Sequence, residues 1–180
     1  MVRNIPASWD DEGRDWHPQE SAAVQSIWRT AIQPRAGKEA GKGTVEINPY
    51  LNFSGQCAAA FRFYEKCLGG TIVMMQTHGE TLAKDHVPFD WRDKVVHARL
   101  VVGGRVLMGS DAPPTHYSAP QRMQVSISVS TPAEGERIFK ALAENGKITM
   151  PFQNTSWSSG FGTAVDRFGI PWMVNCVQTV

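Results

Sequence analysis

The chain has 180 residues, 42% of them hydrophobic, which is enough for one domain with a real core and an appendage. Eighteen Lys and Arg stand against 17 Asp and Glu, a net charge of +1, so no charge excess points to nucleic acid or an anionic membrane as a partner. No apolar run approaches the ~20 residues that span a bilayer.

The first twenty residues carry Asp10, Asp11, Glu12, Asp15 and Glu20, too acidic and too broken for a secretory or transit peptide. Residues 1–44 read as an N-terminal extension. Three tryptophans, Trp9, Trp16 and Trp28, are interspersed there with Pro6, Pro18 and Pro34. Val24, Trp28, Ala31 and Ile32 recur at helical spacing and predict one helix over residues 19–33. The Gly- and Lys-rich run 34–43 reads as a linker.

From residue 45 the pattern sharpens. Residues 45–53 alternate, with Ile47, Leu51 and Phe53 opposite Asn48, Tyr50 and Asn52, which predicts a half-buried strand. The period then changes. Cys57, Ala60, Phe61, Tyr64, Cys67 and Leu68 form one apolar stripe of a helix that Gly69-Gly70 stops with a left-handed cap. Residues 71–76 are strand-like, and the polar stretch 77–93, with Pro88, reads as a long loop. Residues 94–102 and 105–111 form a hairpin through Gly103-Gly104.

The plan then repeats. Residues 124–130 alternate Val125, Ile127 and Val129 against Gln124, Ser126 and Ser128. Thr131-Pro-Ala-Glu134 predicts a capping box with proline in the first turn of a helix that Gly146 closes. A strand over 148–153 and a hairpin of 160–166 with 170–177 complete it. A shift of 76 places Leu51 on Ile127, Phe63 on Phe139 and Gly70 on Gly146, and a shift of 65 in the hairpins places Leu100 on Val165 and Met108 on Met173. The expected fold class is therefore α+β, two paired βαβββ modules at about 45–111 and 122–180 within a domain spanning 45–180. One such module leaves a sheet face uncovered, so two pair. Cys57, Cys67 and Cys176 have no CxxC spacing and read as reduced thiols of a cytoplasmic protein.

The segments Asn48-Pro-Tyr-Leu-Asn-Phe-Ser-Gly55, Ala60-Phe-Arg-Phe-Tyr64, Val96-His-Ala-Arg-Leu100, Val106-Leu-Met-Gly-Ser-Asp111, Met150-Pro-Phe152, Asp166-Arg-Phe-Gly169 and Pro171-Trp-Met-Val-Asn175 together resemble the vicinal-oxygen-chelate superfamily, the glyoxalase, bleomycin-resistance and dioxygenase group, and within it the PhnB-like (demethylubiquinone methyltransferase-like) branch. The resemblance implies mixed sheets curled around a cavity with the helices outside, and a homodimer. On that reading Asn48, Tyr50, Asn52, Gln124 and Ser126 face the cavity. If Ala98 and Leu100 pack under the helix, His97 and Arg99 point into it. Arg99 suits an anion and His97 suits acid or base work. Met108 and Met173, alternating with Leu107 and Trp172, would meet on its floor, with Ser110 and Asn175 two residues further along.

Metal-dependent relatives place His, Glu, His and Glu at four cavity positions. Here the matching residues are Asn48, Met108, Gln124 and Met173, two amides and two thioethers, a poor set for a hard divalent ion. Of the other histidines, His78, His86 and His116 fall in loops. The resemblance thus implies a small-molecule-binding protein with no metal and no cofactor. The alternatives are a lyase, isomerase or dioxygenase-type enzyme using His97 or an unconventional metal site, and a dimeric scaffold with a vestigial pocket. The methyltransferase name has no support, since Gly103-Gly104 sits in a hairpin rather than in a strand-to-helix cofactor turn.

Overall fold

The computed structural model describes residues 46–177, apart from 82–83, 85–86 and 115. The extension, its expected helix over 19–33 and His86 lie outside the described residues. Strands β1 (Tyr50–Phe53), β2 (Thr71–Thr77), β3 (Val95–Val102) and β4 (Arg105–Asp111) form one sheet in the order β1-β4-β3-β2, and helix α1 (Cys57–Leu68) connects β1 to β2. Strands β5 (Val125–Val129), β6 (Lys147–Gln153), β7 (Gly160–Val165) and β8 (Pro171–Cys176) repeat the plan as β5-β8-β7-β6, with helix α2 (Pro132–Ala143) after β5. In each sheet the first strand pairs in parallel with the fourth and the others run antiparallel. These are the two βαβββ modules expected.

Each helix buries its stripe on its own sheet, and the helices touch each other. One core results. Leu51, Phe53, Leu100 and Leu107 of the first sheet, Ala164, Trp172 and Val174 of the second, and residues of both helices form a single buried cluster. Tyr64 of α1 crosses to the other module, its ring edge-on to Trp172 at 5.1 Å and its hydroxyl donating to Asp166 at 2.7 Å. Arg137 of α2 holds Glu134 through two nitrogens (2.9 and 2.7 Å) and donates a third bond to the Cys67 carbonyl at 3.2 Å, at the C-terminal end of α1. That end carries the negative pole of the helix, so the guanidinium is favourably placed.

Several local expectations are corrected. β1 begins at Tyr50 rather than 45, and Ile47 is 94% exposed. Pro49 has no N–H to give, so the ladder opens with its carbonyl, which accepts from Met108 N at 3.0 Å. Thr131 caps α2 by accepting from Glu134 N at 3.3 Å, but the Glu134 carboxylate is taken by Arg137, and only half the capping box is made. Gly69 does end α1 in the left-handed region (φ +68). At the end of α2 Asn145 holds that conformation (φ +56), and Gly146 is needed for space. A Cβ on Gly146 would lie 2.3 Å from the Val165 carbonyl, and one on Gly70 would lie 2.7 Å from that of Val101. The matched glycines therefore share one reason, close passage over the neighbouring hairpin.

Candidate functional site

The phase of β3 and β4 sets the first open face. Ala98 and Leu100 are fully buried, Leu107 is buried, and all three lie in the shared core. The alternating residues therefore lie on the face away from α1. Register aligns Tyr50 with Met108, Met108 with Arg99, and Arg99 with Met74 in one row across the sheet. The next row pairs Asn52 with Ser110 and Gln76 with His97. Asn48, just ahead of β1, is half-buried.

The polar groups on this face are linked. The Tyr50 hydroxyl lies 3.2 Å from His97 Nδ1, with the rings 5.8 Å apart, and Ser110 Oγ donates to Asn52 Oδ1 at 3.4 Å. Burial raises the Tyr50 pKa, an effect opposed by its hydrogen bond to Ser110. Burial lowers the His97 pKa, and the Arg99 charge adds to this. A neutral imidazole accepting from a protonated phenol fits both shifts. His97 is only 2% exposed, so it does not present an open acid or base, and its Nδ1 meets the Tyr50 hydroxyl.

The His97 shift has a consequence for stability. The fold favours the neutral ring, so below the ordinary histidine pKa of about 6.5 the unfolded chain binds more protons than the folded one. Stability contributed by neutral His97 is thus present above that pH and is lost as the pH falls. His97→Gln is expected to flatten the fall in melting temperature between about pH 6.5 and 5. His78, whose pKa burial also lowers, contributes the slope that remains. An unchanged slope in the variant would show that His97 titrates normally.

The second open face is built the same way. Trp172 and Val174 are in the core, and Met173 and Asn175 alternate with them. Ser126 aligns with Met173 and Met173 with Thr163, while Ser128 aligns with Asn175 and Asn175 with Phe161. Ser126 Oγ contacts Met173 Sδ at 3.9 Å, and the Thr149 and Thr163 hydroxyls are 2.8 Å apart. An open depression of about 490 Å³ lies at one end of this face, lined by Arg122, Met123, Gln124, Pro171 and Met173.

The expected residues thus divide into two groups. Tyr50, Asn52, His97, Arg99, Met108 and Ser110 gather on one sheet, and Gln124, Ser126, Met173 and Asn175 on the other. Met108 has Tyr50 and Arg99 as cross-strand neighbours and Met173 has Ser126 and Thr163, so the common floor expected for the two methionines is not among the observed strand contacts. Sequence reasoning did not assign Arg122, Met123 or Pro171 to a site. They stand in or beside loops, where no periodicity marks a face.

Among the described residues no three His, Cys, Asp or Glu side chains gather where a metal ion could sit. The amides and thioethers at Asn48, Gln124, Met108 and Met173 do not fit the hard divalent ions of metal-dependent relatives, and no chemistry is routed through a metal. Among the same residues no helix is long and apolar enough to cross a membrane.

The sequence profile of the Glyoxalase/Bleomycin resistance protein/Dioxygenase superfamily matches residues 46–174. The chain belongs to this superfamily. It is similar to Protein YjdN of Escherichia coli K12, 33% identical over 140 residues that span 73% of this chain and 95% of YjdN. Among solved structures it resembles protein PA1353 of Pseudomonas aeruginosa, 45% identical, with a TM-score of 0.69 over 76% of this chain and all of that one. A PhnB protein from Bacillus cereus, 22% identical over 74% of this chain and all of its own, shares the fold with a TM-score of 0.62. The two buried carboxylates of the motifs now have structural roles. Asp111 accepts from Cys57 N and Val95 N, both at 2.8 Å, and so caps α1, whose own Gln56 supplies no side-chain cap. Asp166 ties the last hairpin to Tyr64.

Proposed function

We propose that this member of the superfamily binds a small organic molecule on its open sheet faces without a metal or cofactor. The observation that carries the reading is the row of Tyr50, Met108 and Arg99, with Asn52, Ser110 and His97 beside it. It combines an adaptable thioether, a hydrogen-bonded polar set and a cation on a face the helices do not cover. The YjdN and PhnB likenesses support the branch and leave the ligand open. A homodimer is part of the proposal, because among the described residues each sheet ends in strands without a second partner, and open edges are usually covered by pairing.

One measurement tests metal, ligand and assembly together. Native mass spectrometry of the purified protein, with elemental analysis, is expected to show a dimer without stoichiometric Zn, Ni or Fe. About one such ion per chain, lost to a chelator together with ligand binding, would overturn the proposal. On the second point, small polar molecules are expected to raise the melting temperature of chelator-treated protein, and Ser110→Trp, which fills the first face, is expected to remove that gain.

The domain boundary is also proposed. Among the described residues the buried cluster begins at Leu51. Removal of residues 1–43 is therefore expected to leave the unfolding free energy within about 1 kcal/mol of the full chain. Aggregation, or a loss of several kcal/mol in a urea titration, would place part of the extension in the core.

A further inference from the structure

Two described residues other than glycine have positive φ, Asn145 at +56 and Arg122 at +57. Asn145 follows the end of α2, where a left-handed residue is ordinary and asparagine tolerates it. Arg122 ends no helix and turns no hairpin. It lies between β4 and β5, two residues ahead of Gln124. An L-residue with a long side chain held there is strained by roughly 1 kcal/mol or more, and such strain gathers where a side chain must be aimed.

Arg122 lines the open depression on the second face. Among the described residues its side chain makes no ion pair and no carboxylate lines the depression. Next to it Met123 is 73% exposed, a large apolar group kept out of the core, and Met173 and Pro171 complete an apolar wall. Gln124 adds an amide that both donates and accepts. The site therefore offers a guanidinium fork at one end and adaptable apolar surface beside it. A carboxylate matches the fork in a bidentate pair.

We infer that this depression binds a small organic monocarboxylate with an apolar body, the carboxylate on Arg122 and the body against Met123 and Met173. The inference rests on the small-molecule-binding reading above and extends it to the second open face, with a ligand class of its own.

Three probes separate the parts of the claim in calorimetric titrations of the full chain. Hexanoate has charge and tail, hexanamide the tail alone, and acetate the charge alone. Hexanoate is expected to bind saturably, at least about tenfold more tightly than either of the others, and less tightly as salt is raised. Arg122→Ala is expected to weaken hexanoate about tenfold or more and to leave hexanamide unchanged. The side chain is exposed, so the variant should keep the wild-type melting temperature. Equal binding of hexanoate and hexanamide, wild-type binding by Arg122→Ala, or no saturation up to about 10 mM would overturn the inference. Hexanoate binding that survives Arg122→Ala but is lost in Arg99→Ala would move the anion to the first face. That outcome overturns this site and leaves the proposed function standing.

Discussion

Asp166→Ala is expected to lower the free energy of unfolding by about 4 kcal/mol or more, measured by urea titration. Asp166 is 4% exposed and accepts four hydrogen bonds: from the Tyr64 hydroxyl and Trp172 Nε1, each at 2.7 Å, from Phe168 N at 2.8 Å and from Ile170 N at 3.0 Å. Alanine strands three buried donors and the partly buried Phe168 amide, and each stranded buried donor costs about 1–3 kcal/mol. Partial relaxation keeps the total below the simple sum. Small domains are stable by only about 5–15 kcal/mol, so the variant sits near the limit of folding. Asp166→Asn retains one acceptor oxygen and is expected to fall between alanine and wild type. A loss below about 1 kcal/mol in both variants would mean that the donors find other partners and that the carboxylate is not the joint between the modules.

The second large effect separates neighbours on one strand. Leu107→Glu is expected to cost roughly 3–5 kcal/mol, and Met108→Glu less than about 1 kcal/mol. Leu107 is 7% exposed within the core cluster, where a carboxylate has no partner and must be desolvated. Met108 is half-exposed on the opposite face and aligned with Arg99, whose charge favours a carboxylate. Melting curves of the two variants read the strand phase directly. Equal losses would show that the first open face is packed rather than available to a ligand.

Much of this architecture could be read from local pattern. The period changes at Cys57 and Pro132, the paired glycines of the first hairpin and the alternation of Leu107 with Met108 and Trp172 with Met173 are all set by residues within a few positions of each other. Those features hold in the structure. The features that escaped are long-range or conformational. Asp166 lies 102 positions from Tyr64, and no window along the chain joins them. The left-handed turn at Arg122 has no glycine or asparagine to announce it. Strand phase puts His97 on the side away from α1, but neither its burial nor its contact with Tyr50 across the intervening strand β4 can be read from one strand alone. The grouping of candidate residues onto two faces was likewise hidden, because alternation assigns a side of a sheet without saying which sheets share a floor.

The Tyr64–Asp166 bond also bears on how the chain is made. Synthesis runs from the N-terminus, so the first module leaves the ribosome with β1 to β4 complete while residue 166 does not yet exist. In that interval the phenol of Tyr64 and the aromatic rings around it have no second half to close over them. The nascent first module therefore emerges with its apolar flank open, and it can settle only when the last hairpin has followed. A chain stalled between the two modules is the species a chaperone would need to hold.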